Sequence, residues 1–131
     1  MLRIPTTLDP ALEALIYKTI GCCITVHCEL GPGFIEQAYS RAVGYELGVN
    51  DIPFEREKRF PITYRGKYLY MHRLDLVVAS QLVLELKAVE RLHPVHRAQV
   101  LSILRTSKLR VGLLINFNVP VLPDGIHRIV L

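Results

Sequence analysis

The sequence predicts an α/β domain in which a mixed β-sheet is flanked by helices, with its elements in the order ααβββαββ. Three observations carry that expectation. Apolar residues recur at helical spacing through the N-terminal third, the period shortens towards two beyond Phe54, and the apolar runs 82–86 and 111–117 are too short for independent helices. Length sets the scale. A chain of 131 residues suffices for one hydrophobic core and is too short for two ordinary ones, so residues 1–131 are read as a single domain.

Asp9 suits a helix N-cap and Pro10 the first helical position, and Leu12, Leu15, Ile16, Thr19, Cys23, Val26 and Leu30 then mark one face of a helix of about five turns. Gly31-Pro32-Gly33 ends it. A second helix is expected from near Phe34 to near Leu47, with Ile35, Ala38, Ala42, Val43, Tyr45 and Leu47 as packing residues. Beyond Phe54, Phe60, Ile62 and Tyr64 alternate with Arg59, Thr63 and Arg65 as in a strand, and Pro61 places that strand at a sheet edge. Arg65-Gly66-Lys67 turns the chain into a second strand, from Tyr68 to about Val78. A third follows Ala79-Ser80-Gln81 and runs from Leu82 to Lys87, apolar enough to be central.

Pro94 opens a third helix, with Val95, Ala98, Val100, Leu101, Leu104 and Arg105 on its mixed face and Lys108 and Arg110 near its end. Residues 111–117 read as a buried strand, and a last short strand runs from Ile126 to Leu131. The first three strands are expected as antiparallel hairpins. The long crossover from Lys87 to Val111 makes the two strands it joins parallel.

Half of the residues are hydrophobic, which argues against a disordered chain. Sixteen Lys and Arg against twelve Asp and Glu give a net charge of +4, which favours a polyanion such as nucleic acid without requiring one. Met1-Leu2-Arg3-Ile4-Pro5 has no secretory pattern and no window approaches ~18 uninterrupted apolar residues, so a cytoplasmic protein without membrane association is expected. Cys22, Cys23, His27 and Cys28 lack the paired spacing of a zinc site, and Cys23 reads as core. Apolar surface left on the first helix or the last strand points to self-association as a homodimer.

Charges inside apolar strands require an explanation, and three stand out: Asp75, Glu85 and Lys87. Strand alternation puts Glu85 and Lys87 on one face, with Leu84 and Leu86 on the other. Asp75 faces Glu85 if Val78 pairs with Leu82 around a three-residue loop, whereas an even loop without a bulge sends the two carboxylates to opposite faces. Two converging carboxylates beside a lysine suit a hard divalent cation, Mg²⁺ or Mn²⁺, acting on a phosphate and on an attacking water. A buried carboxylate–Lys87 ion pair is the alternative.

With these residues in view, Asp75 followed by Glu85-Leu86-Lys87 resembles the D…ExK signature of the PD-(D/E)xK superfamily of restriction-endonuclease-like phosphodiesterases. Gly33-Phe34-Ile35-Glu36-Gln37-Ala38-Tyr39 is similar to the motif that names the GxxExxY family of bacterial proteins within it. The segments Leu30-Gly31-Pro32-Gly33, Glu85-Leu86-Lys87-Ala88-Val89, His96-Arg97-Ala98-Gln99 and Gly112-Leu113-Leu114-Ile115-Asn116-Phe117 follow in the family's order. The resemblance implies a core of helix, three strands, helix and strand. It implies metal ligation by Asp75, Glu85 and the backbone carbonyl of Leu86, catalysis by Lys87, and support from Glu36 and Gln99. The tyrosine that follows such a glutamine in related nucleases is Ile103 here, and the proline that commonly precedes the aspartate is Leu74.

The implied activity is hydrolysis of nucleic-acid phosphodiester bonds, with DNA favoured over RNA as the partner. A catalytically silent nucleic-acid-binding or regulatory module and a purely self-associating structural protein are the rivals. Other readings stay open for single residues: Glu36 favouring the positive end of its helix, Gln99 bridging helix and sheet, His96 as a capping histidine. Arg56, Lys58, Arg59, Arg65 and Lys67 either track a phosphate backbone or form a solvated edge.

Overall fold

The computed structural model describes residues 7–131, so the N-terminal pentapeptide read above for a targeting signal lies outside the described range. Helix α1 spans Pro10–Leu30, and its Asp9 cap accepts a hydrogen bond from the Ala11 amide at 2.7 Å. Its length and mean hydropathy of 1.3 would suit a membrane span, but Ile16, Cys23 and Val26 are core residues. The chain leaves it at Gly31, whose φ of 69° is a backbone conformation open to glycine, and enters helix α2 at Glu36–Val49.

Tyr39 holds this turn together. Its hydroxyl donates to the Gly31 carbonyl at 2.6 Å and accepts from the Phe34 amide at 3.1 Å, while its ring stacks on Phe117 with centroids 4.4 Å apart. Tyr39 is thus a packing residue with a satisfied hydroxyl. Val43 and Leu47 are buried as expected, but Ile35 and Tyr45 are each 71% exposed and are not packing residues. Ile35 lies before the helix proper, and Tyr45 falls on the face opposite Tyr39, Val43 and Leu47.

Between α2 and the third helix the chain makes five strands rather than the three expected: β1 (Phe54–Arg56), β2 (Arg59–Tyr64), β3 (Lys67–Arg73), β4 (Leu76–Val78) and β5 (Leu82–Lys87). Helix α3 (Pro94–Ser107), β6 (Val111–Asn116), a 3₁₀ turn at Leu122–Gly125 and β7 (Ile126–Val130) complete the order. Two breaks account for the difference. Glu57 takes a left-handed φ of 56°, and the chain leaves regular pairing at Leu74 and Asp75. There the Glu57 amide donates to the Asp75 carbonyl at 3.0 Å and the Leu74 amide to the Lys58 carbonyl at 2.8 Å. Leucine at 74 supplies a bond that a proline lacks the hydrogen to make.

The main sheet has the order β1-β4-β5-β6-β7, parallel between β5 and β6 and antiparallel elsewhere. Strands β2 and β3 form a separate antiparallel ribbon. Each strand of a ribbon is an edge, which is why Pro61 is tolerated there. Leu76, Val78, Leu84, Leu86 and Leu113 project into a large core under α1 and α2, while Val77, Val83 and Leu114 meet Val100 and Leu104 of α3. The result is a mixed α/β sheet flanked by helices, as in restriction-endonuclease-like folds.

Close approach fixes the C-terminal connection. A Cβ placed on Gly125 would overlap the backbone carbonyl oxygen of Asn116. Gly125→Ala is therefore expected to cost at least about 2 kcal/mol, because neither backbone can move without breaking the β6–β7 ladder. Chemical denaturation checks this. An unchanged midpoint would show that the connection has slack.

Candidate metal and catalytic centre

The loop between β4 and β5 decides whether two carboxylates meet. Val78 pairs with Leu82 and Leu76 with Leu84, so the same register carried one step further sets Asp75 against Glu85. Ala79 and Ser80 reverse the chain at left-handed φ values of 50° and 56°, and the Gln81 amide donates to the Val78 carbonyl at 2.9 Å. This is the three-residue loop that brings the two acids to one face. Asp75 Oδ2 then accepts a hydrogen bond from the Leu86 amide at 2.8 Å, which docks the aspartate on β5.

Glu85 is 7% exposed and hydrogen-bonds Asp75 through its side chain. Burial first, then that bond and the negative charge of Asp75, push its carboxyl up to about 9; Lys87 opposes the shift and Glu36 adds to it. Lys87 shares its strand face with Glu85 and Val83, while Leu84 and Leu86 enter the opposite core, as alternation requires. Two adjacent carboxyl groups, one of them buried and both beside a lysine and a cleft, have the donor chemistry of a hard-cation site.

Among the described residues no three His, Cys, Asp or Glu side chains form a closed ligand set. The two carboxylates nonetheless fit Mg²⁺, which binds through one or two such groups and keeps several waters. Leu86 lies between Glu85 and Lys87, and its amide is the donor that fixes Asp75.

Glu36 opens α2 and lines, with Asp75, a cleft of about 290 Å³ whose other walls include Ser40, Arg56, Glu57 and Arg73. Its charge acts on both Glu85 and His96, so it belongs to the same electrostatic cluster. His96 Nδ1 accepts from the His93 amide at 3.0 Å, the capping role open to it from sequence. Desolvation, then Lys87 and His93, draw it below the usual imidazole range, with Glu36 opposing. Gln99 is not brought to the carboxylates. It is exposed on α3 and lines a separate groove against the β2–β3 ribbon. Cys22 and Cys23 are buried, Cys28 is exposed and His27 Nε2 bonds the Val119 carbonyl at 2.8 Å, so these four side chains do not converge.

The model of the PD-(D/E)XK nuclease superfamily matches residues 13–129 of the chain. The chain therefore belongs to the PD-(D/E)XK nuclease superfamily, whose members are usually nucleases that use divalent metals. No curated protein and no solved structure matches it.

Arg73 and Asn116 were missed from sequence, and Arg56 was read there only as one of several basic residues that either track a phosphate backbone or form a solvated edge. Arg56 reaches Ser40 Oγ at 3.5 Å and keeps a buried Nε without a hydrogen-bond partner, on the wall of the Asp75 cleft. Arg73 meets Glu57 only at 3.8 Å. Asn116, 3% exposed, donates to the Val89 carbonyl at 2.9 Å and accepts from the Val89 amide at 3.1 Å, pinning the loop that follows Lys87. An asparagine inside the apolar run 111–117 was the available signal, since a buried amide needs partners.

Glu85 makes stability depend on pH. Its folded carboxyl holds a proton far above the ordinary 4.5, so below that value both states are protonated and the contribution is fully present. As pH rises towards about 9 the unfolded chain ionises and the folded one does not, and stability falls. Thermal melts in EDTA should show a loss between pH 5 and 9 that Glu85→Gln largely removes, gaining about 2 kcal/mol at pH 8. A variant with the wild-type slope would disprove the assignment.

Proposed function

We propose that this chain is a metal-dependent phosphodiesterase of the GxxExxY type that hydrolyses nucleic acid, DNA ahead of RNA, at the Asp75–Glu85 centre. One observation carries the reading above all. Asp75 and Glu85 converge on a single strand face beside Lys87, at the edge of a cleft that also holds Glu36, Arg56 and Arg73.

Asp75, Glu85 and the Leu86 carbonyl would hold a Mg²⁺ or Mn²⁺ ion. When bound, the cation supplies Lewis acidity towards a phosphoryl oxygen and towards the attacking water. The chain's own groups do the rest. Asp75 is oriented by the Leu86 amide, so the ligand nearest the cleft is fixed before substrate arrives. Lys87 places its ammonium where negative charge develops on phosphorus-bound oxygen. Glu36, at the mouth of the cleft, accepts a hydrogen bond from the water and aligns it. The Arg56 guanidinium, with Nε unused, donates to a non-bridging phosphate oxygen and turns the phosphate towards the carboxylates.

Lys87→Ala should lower turnover on DNA by a factor of roughly a hundred or more while leaving affinity nearly unchanged, because its role lies in the transition state. Glu85→Ala should abolish both Mn²⁺ binding by calorimetry and cleavage. Wild-type protein that binds nucleic acid but cuts neither DNA nor RNA with either metal would leave the fold as a binding module only.

A further inference from the structure

The geometry points to the β2–β3 ribbon and its groove against α3 as a binding surface for single-stranded nucleic acid, whose backbone lies on the ribbon while one unpaired base enters the groove. This deepens the nuclease reading, and rests on it for the connection to Asp75.

Charge comes first. Residues 58–73 contain Lys58, Arg59, Arg65, Lys67 and Arg73 and no acidic residue, leaving eleven basic against twelve acidic residues in the rest of the chain. Residues 58–73 thus hold the positive excess of the sequence, although Lys58, just before β2, pairs with Glu55 at 3.2 Å. Arg59 and Arg73 are direct cross-strand partners, an arrangement that repels. The Arg73–Glu57 pair at 3.8 Å is exposed and weak relief, and Arg59 has no ion pair among the described residues. Strand alternation turns both arginines to the ribbon face away from α3, opposite Ile62, Tyr70 and His72, so a polyanion passing the ribbon's edge would neutralise them there while reaching the groove from the other side.

The groove selects the form of the strand. It has a volume of about 330 Å³, at the small end of the range for ligand sites, and is lined by Ile62, Tyr70, His72, Val95, Gln99 and Ser102. Tyr70 offers a ring 53% exposed, and its centroid is 6.4 Å from that of His72. His72 Nε2 is buried without a hydrogen-bond partner, while Gln99 brings an amide and Ser102 a hydroxyl to the same walls. An aromatic face with polar side chains around it is what an unstacked base requires, for stacking and for its hydrogen-bonding edge. A paired base cannot enter. This also gives Gln99 a role as a base-contacting residue away from the carboxylates.

Continuity with the catalytic centre follows from the chain itself. His72 lies on the groove, Arg73 on the cleft wall and Asp75 two residues on, so at most roughly 10 Å of chain separates the groove residue His72 from Asp75. A strand seated by one base thus presents a nearby phosphate to Asp75 and Glu85.

The test is fluorescence anisotropy of the full chain in EDTA, with labelled single-stranded DNA and RNA and the duplex of the same DNA sequence. Wild type should bind the single strands more tightly than the duplex. Arg65→Glu/Lys67→Glu should weaken single-strand binding at least tenfold and flatten its salt dependence, whereas Lys18→Glu/Lys108→Glu, with the same change in net charge, should weaken it no more than about threefold. Tyr70→Ala should cost about tenfold and Gln99→Ala severalfold, with melting curves near wild type since both side chains are exposed. Ribbon and control variants that bind alike, a preference for duplex, or Tyr70→Ala binding as wild type would each overturn the proposal. Cleavage with Mn²⁺ separates it from the nuclease reading: binding through the ribbon without cutting removes only the latter, and cutting unaffected by the ribbon variants removes only the former.

Discussion

The hydrogen bond from the Leu86 amide to Asp75 Oδ2 is the constraint around which this protein is arranged. It binds a residue from an irregular stretch between two strands to the C-terminal end of the central strand, one position from Glu85 and one from Lys87. Everything needed to make it lies close to it in space. The three-residue loop sets the register of β4 on β5, the Glu57 amide holds the Asp75 carbonyl, and the Leu74 amide holds the chain just before it. With the backbone of Asp75 bonded on one side and its carboxylate on the other, the side chain has little freedom left, which is the condition for a precise ligand.

That precision is obtained against electrostatics. Glu85 sits in an apolar strand beside a second acid, where burial and Asp75 both resist its ionisation. A protein selected only for stability would place an apolar residue there, since strand and core would accept one. The unfavourable term is confined to a single pair because the surrounding core is otherwise apolar, with Val77, Val83 and Leu114 on the same side of the sheet. The fold tolerates a strained centre by making its neighbourhood ordinary.

How much of this was legible in the sequence depended on whether a residue's structural role is local. Asp9 and Pro10 announced α1, and the continuous apolar runs announced β5 and β6, because capping and burial are written in adjacent residues. The Asp75–Glu85 pairing was legible as a condition on loop length, and the loop met it. The splitting of the first two strands was not legible. Glutamate carries no signal for the left-handed conformation that Glu57 adopts, and the bonds that stabilise it come from residues nearly twenty positions away. Tyr45 and Ile35 misled for a similar reason, since hydrophobicity alone does not say which side of a helix the rest of the chain will cover. The placement of Gln99 on the ribbon side of α3 likewise depends on a ribbon whose independence from the main sheet no periodicity reveals.

Tyr39 carries a consequence for the order of events during synthesis. Its hydroxyl closes the α1–α2 turn and its ring rests on Phe117, so the entry into α2, where Glu36 stands, is buttressed by a residue made some eighty positions later. Strand β5 likewise waits for β6 as its ladder partner. A chain emerging from the ribosome can therefore display the D…ExK residues while the scaffold that aims them is still missing. The arrangement of these residues is complete only when β6 has been delivered, so an unfinished chain carries the residues without their geometry.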